Sequence, residues 1–173
     1  MPAVSVSDAA VLLVGATACV TDLRSRRIPN VLTFGASAAA VLFLGVSAGW
    51  AGVLWSLEGW AVGCLFFLPW FLLGGMGAGD VKLLAALGAW VGPGSAVWMA
   101  LYAGLAGGVF AIVVSAGRGY LPQLLRNIWG LLMFWRVMGV QPHPELTLRN
   151  GKGPRLPYAF PITVGAVAVL WLR

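Results

Sequence analysis

Six apolar stretches, at about residues 4–21, 31–48, 53–73, 81–91, 96–116 and 157–171, take up most of the chain. A stretch of about 20 apolar residues is long enough to span the hydrocarbon of a bilayer. Backbone polar groups in lipid must be satisfied within their own segment, so stretches of this kind fold as helices. The fourth stretch is short, and the glycine-rich "GGMGAGD" before it extends it. Only 9% of the residues are charged and 60% are hydrophobic, whereas soluble domains carry about 25% charged residues. The expected fold is all-α: one polytopic membrane domain over residues 1–173, with about six transmembrane helices. The opening "MPAVSVSD" lacks the basic start of a signal peptide, so the first stretch is expected to remain in the mature protein. Cys19 and Cys64 lie inside apolar runs, away from any other thiol or histidine. They read as small buried hydrophobes, with no disulfide framework and no metal site.

Eleven basic residues against five acids give a net charge of +6, and the basic residues are unevenly spread. Arg24, Arg26 and Arg27 follow the first stretch and Lys82 opens the fourth. Arg118, Arg126, Arg136, Arg149, Lys152 and Arg155 lie between the fifth and sixth. The intervening connections "SAGWAG" and "GPGS" carry none, and only Arg173 breaks the pattern. The positive-inside rule makes the basic connections cytosolic and puts both termini outside. With no stacking platform and no basic soluble module, the expected partner is a lipid bilayer and not nucleic acid.

Within "LPQLLRNIWGLLMFWRVMG", Leu121, Leu124, Leu125, Ile128, Leu132 and Trp135 recur at helical spacing, interrupted by Arg126 and Arg136. This suits a cytosolic helix lying in the interface, with Trp129 and Trp135 at headgroup depth. A seventh, irregular span is the alternative, and it would put two arginines in hydrocarbon. His143, between prolines in the polar loop that follows, reads as a solvated side chain.

Each of the five acids can be weighed. Asp8 suits a helix end, Glu58 a snorkelling or pairing role, and Glu145 a polar loop. Asp22 and Asp80 remain, and both fall at cytosolic ends of their helices. Taken singly, Asp22 has Arg24 and Arg26 beside it as ion-pair partners, and Asp80 suits a helix N-cap. Taken together, two facing carboxylates share one proton. The ionised member acts as base on a water while the protonated one polarises a carbonyl. Gly77 and Gly79 leave room for an extended peptide beside Asp80. The helix N-terminus at Asp80 favours charge there and assigns the proton to Asp22.

"GMGAGDVKLLAALGAWVG" is similar to the GxGD motif and following helix of the type IV prepilin leader peptidases. "TDLRSRRIPN" resembles that family's other block, in which an aspartate precedes Ile-Pro-Asn, here Asp22 before Ile28, Pro29 and Asn30. "LPYAFPI" resembles a third block, with Ala159 where glycine is frequent. The resemblance implies a membrane aspartic endopeptidase of the bacterial or archaeal inner membrane. It would cut leaders from prepilins or pilin-like proteins at the cytosolic face, with Asp22 and Asp80 catalytic. Gly77, Gly79 and Lys82 would bind the substrate, and no cofactor or metal is implied. Longer relatives carry a cysteine-rich zinc region and also methylate the new amino terminus. This chain resembles the short form of the Flp, or tight-adherence, pili. Two other readings remain open: a small transporter using Asp22, Asp80 and Lys82 as a polar relay, and a pilus-assembly scaffold with structural acids. The transporter requires polar residues at mid-membrane depth, and the sequence offers almost none.

Overall fold

The computed structural model describes residues 5–148 and 156–172, all-α in five helices. Arg149, Lys152, Arg155 and Arg173 lie outside the described residues. Helix α1 (Val6–Ser25) starts at Ser5, whose hydroxyl accepts from the Asp8 N–H while the Asp8 carboxylate accepts from the Ser5 N–H. This reciprocal cap is the helix-end role expected of Asp8. The helix stops at Arg26, a non-glycine residue in the left-handed region (φ 52°), whose N–H reaches the Asp22 carbonyl. Pro29 then leads into α2 (Asn30–Leu72).

Helices α2 and α3 (Ala78–Gly117) run to 43 and 40 residues, and each is broken once, at Gly49 (φ 62°) and Gly92 (φ 78°). Glycine adopts these conformations without a Cβ penalty. The chain doubles back at both: Gly52 lies against the Leu44 carbonyl, and Gly88 against the Ala96 side chain. In a continuous helix residues eight apart would be about 12 Å apart along the axis. Each long helix is therefore a hairpin of two limbs, 30–48 with 50–72 and 78–91 with 93–117. Pro93 opens the last limb, where its missing N–H costs nothing. The six apolar stretches fall on α1, these four limbs and α5 (Ala159–Trp171). Helices α1, α2 and α3 are long and apolar enough to cross a membrane, and α5 is a shorter apolar helix.

The first limb of α3 is the core. Residues 81–92 are buried except for Lys82, and α3 packs against α2, α5 and α1. Close approach depends on small residues: the Gly59 and Gly88 backbones touch, Gly63 meets the Leu84 carbonyl, and Gly165 lies on Met99 and Ala103. A side chain at any of these would push backbones apart. Buried polar groups tie the limbs together. The Ser56 hydroxyl donates to the Ala89 carbonyl at 2.9 Å, and the Trp90 indole N–H to the Ala36 carbonyl at 3.0 Å.

Helices α1 and α5 are joined in the same way. The Thr163 hydroxyl is 3.2 Å from the Gly15 carbonyl and 2.8 Å from its own helix's Ala159 carbonyl. The Cys19 thiol lies 3.2 Å from the Thr163 hydroxyl, so Cys19 adds a polar link to its apolar packing. Glu58 is exposed on the second limb of α2. Helix α4 (Leu121–Met138) is regular, buries none of its residues, and among the described helices packs only on α3.

Candidate active site

Asp22 and Asp80 come from opposite kinds of helix end. Asp22 lies in the last turn of α1, one turn before the left-handed stop at Arg26, and is only 7% exposed. Its Oδ2 accepts the backbone N–H of Ala159, the first residue of α5, at 3.2 Å. The Gly15–Thr163–Cys19 contacts that fix α5 on α1 thus also set this carboxylate. Asp80 lies in the first turn of α3, and its Oδ2 accepts the Gly77 N–H at 3.2 Å. The N-cap expected of Asp80 is Gly77 instead; Asp80 sits three residues in and reaches back to it.

Both carboxylates line one cavity of about 570 Å³, close enough for the Asp22 charge to act on Asp80. Arg26, Arg27, Ile28, Pro29 and Asn30 of the α1–α2 link form one wall, and Gly77, Gly79 and Lys82 another. Every site residue read from the sequence therefore faces the same space. Residues 9–112, which carry both aspartates, match the type IV leader peptidase family. The chain belongs to that family. The type 4 prepilin-like proteins leader peptide-processing enzyme of Escherichia coli is 35% identical over 117 residues, covering 61% of this chain and 42% of that relative. The chain thus spans less than half the length of the curated relative it matches. No solved structure matches it significantly.

In this member of the leader peptidase family the glycines do different jobs. A Cβ on Gly77 would lie 3.1 Å from Asp80 Oδ2, so the absence of a side chain there lets the carboxylate close on its cap. A Cβ on Gly79 would instead meet Ile28 at 3.3 Å. Gly79 thus lets the α1–α2 link lie against α3 while itself lining the cavity. Lys82 is held at the cavity edge: its Nζ donates to Asn30 Oδ1 at 3.0 Å and sits 5.2 Å from the centre of the Phe34 ring.

Two elements beyond the family-matched residues complete the cavity. Tyr158, at the start of α5, lines it, with its ring edge-on to Phe67 and its hydroxyl against Gly107. Burial, and after it the nearby Asp80 carboxylate, acts on this phenol. Tyr158 and Ala159 thus bring one short segment to both carboxylates. The dipole argument that assigned the charge to Asp80 alone no longer separates the two acids, because each accepts an N–H from a helix N-terminus.

The second element is a strap, residues 139–148. The Trp135 indole N–H donates to the Gln141 carbonyl at 2.9 Å and the Gln141 amide returns to the Met138 carbonyl at 3.0 Å. His143 stands edge-on to Phe134 with ring centres 4.7 Å apart, and its Nδ1 accepts the Glu145 N–H at 3.1 Å. His143 is therefore a structural hinge of the strap, more tied than the solvated side chain expected. At the far end the Leu148 N–H donates to the Gly74 carbonyl at 2.8 Å, Thr147 packs on Gly74, and Leu148 lines the cavity.

Proposed function

We propose that this chain is an aspartic endopeptidase that removes the leader from prepilin-like proteins at the cytosolic membrane face, with Asp22 and Asp80 as its catalytic pair. The carrying observation is that these two acids, 58 positions apart in sequence, line one cavity, close enough for the Asp22 charge to act on Asp80. Two adjacent carboxylates cannot both ionise without repulsion, so the working state holds one proton between them. The ionised member takes a proton from a water lodged between the two, and the water oxygen attacks the scissile carbonyl carbon. The protonated member donates to the carbonyl oxygen as the tetrahedral intermediate forms. The proton taken from water then passes to the amide nitrogen as the C–N bond breaks, and the proton given to the carbonyl oxygen returns to the pair, which is left with its single shared proton. The products are a leader ending in a carboxylate and a mature chain with a free amino terminus. Lys82, fixed by Asn30 and Phe34, offers a cation to a substrate acid or carbonyl and sets the register of the peptide.

The hairpin turns at Gly49 and Gly92 support six membrane crossings, through α1, the four limbs and α5, in a single inner-membrane domain. Both termini then face outward, and Arg24, Arg26, Arg27, Lys82 and Arg118 share the cytosolic side with the cavity. Helix α4 lies in the interface on that side. The test is cleavage of a purified prepilin-like precursor with a basic leader, followed by mass spectrometry of the products. The wild-type protein cuts once at the leader boundary, and Asp22→Asn and Asp80→Asn do not cut. A precursor left intact by well-folded wild-type protein overturns the proposal.

A further inference from the structure

Helix α4 has an apolar face that the described chain leaves exposed. At 100° per residue, Leu125, Ile128, Trp129 and Leu132 project within about 100° of one another. All four are exposed, Trp129 by 64%. Arg136, in the last turn, falls within the same arc, and Arg126 borders it. The helix contains no acid. A protein groove that took up this arc would bury the Arg136 guanidinium. At a bilayer surface the arginine stem can lie among acyl chains while its head reaches the phosphates. The helix also sits at the end of the bundle that carries the cavity. It begins four residues after α3 ends, and the strap that follows it returns to Gly74.

We propose that α4 is an anchor for anionic phospholipid, and that its seating holds the strap of residues 139–148 against the cavity. The coupling follows the contacts in order. Phe134, on the α4 side away from the exposed arc, holds His143, and Trp135, which borders the arc, holds Gln141. Glu145 binds back to His143, and Thr147 and Leu148 close on Gly74. Seating α4 fixes the first link, and the Leu148 N–H reports the last. This inference goes beyond the peptidase reading, and its readout needs no substrate.

The experiment is amide hydrogen exchange of the full chain in nanodiscs of phosphatidylcholine, with and without phosphatidylglycerol. Phosphatidylglycerol should slow exchange along α4 and at the Leu148 amide, by about fivefold for each arginine that meets a headgroup. The double variant Arg126→Gln/Arg136→Gln should lose that difference while the buried α3 amides stay protected. In wild-type protein, added salt should erode it as surface charges are screened. Equal exchange in the two lipids overturns the proposal, as does a difference that survives in the double variant or in high salt. Protection that depends on two chains sharing a disc assigns the face to a second copy and also overturns it. Slowing of α4 with no change at Leu148 refutes the coupling.

Discussion

The bond from Ala159 to Asp22 gives Asp22 two separable roles, and two substitutions distinguish them. Asp22→Asn keeps an oxygen that can accept the Ala159 N–H. Asp22→Ala removes the acceptor and leaves that donor unsatisfied in a site where Ala159 is fully buried. Leaving a buried donor unpaired costs about 1–3 kcal/mol. Alanine's better helix propensity returns about 0.5 kcal/mol in the last turn of α1. Asp22→Ala should therefore be about 0.5–2.5 kcal/mol less stable than Asp22→Asn. The asparagine loses about 1 kcal/mol of charge assistance in its hydrogen bond, and loss of repulsion from Asp80 offsets part of it. Both variants should lose cleavage, because neither has a second carboxylate. The assay pairs equilibrium unfolding in matched detergent with leader cleavage by each protein. Equal stability of the two variants would show that the Ala159 bond does not support the fold. Near-wild-type cleavage by the asparagine variant would remove Asp22 from the chemistry.

Three further outcomes are expected. Gly79→Leu should lower kcat/KM at least tenfold, because its side chain would press on Ile28 and move the α1–α2 link and with it the end of α1 that carries Asp22; normal turnover by inserted protein would show that the link tolerates the shift. Lys82→Met, which loses the Asn30 bond and the Phe34 ring contact, should raise the substrate KM and broaden the cut site; mass spectra with a single unchanged product and an unchanged KM would reduce Lys82 to a membrane anchor. Gly88→Ala would place a methyl against the Gly59 carbonyl, and overpacking of this kind costs about 1–3 kcal/mol. Unfolding at the wild-type midpoint would mean that the two backbones can part without loss.

What the sequence revealed depended on whether a feature leaves a local signature. Asp22 and Asp80 stood out because acids are few and both abut apolar stretches, and the structure sets both on one cavity. The helical spacing of Leu125, Ile128 and Leu132 likewise marked α4. The Ala159 contact was invisible, because its donor is a backbone N–H 137 residues from its acceptor and backbone groups have no letter of their own. The Lys82–Asn30 bond was hidden because its partners stand 52 positions apart. The connections "SAGWAG" and "GPGS" read as loops, yet each narrows to one glycine, because the limbs stay helical up to the residue that turns the chain. Gly79 was legible as a glycine that mattered, but its neighbour Ile28 could only come from the packing.

The contacts of Gly59 with Gly88 and of Gly63 with Leu84 define how the second limb of α2 runs past the first limb of α3. Continued at the same register, Asp80 comes level with Phe67, five residues before α2 ends at Leu72. At 1.5 Å per residue the aspartate lies about 7 Å beneath the rim that α2 builds. Asp80 thus stands at the floor of a well, and the glycine-rich chain between Leu72 and Ala78 descends its side with most of its N–H groups already held by protein acceptors. Under the proposed peptidase function, a substrate that arrives as a membrane helix would have to fray over its last turn to lower one peptide bond to that floor, and the ease of unwinding at the leader junction would then help select the bond.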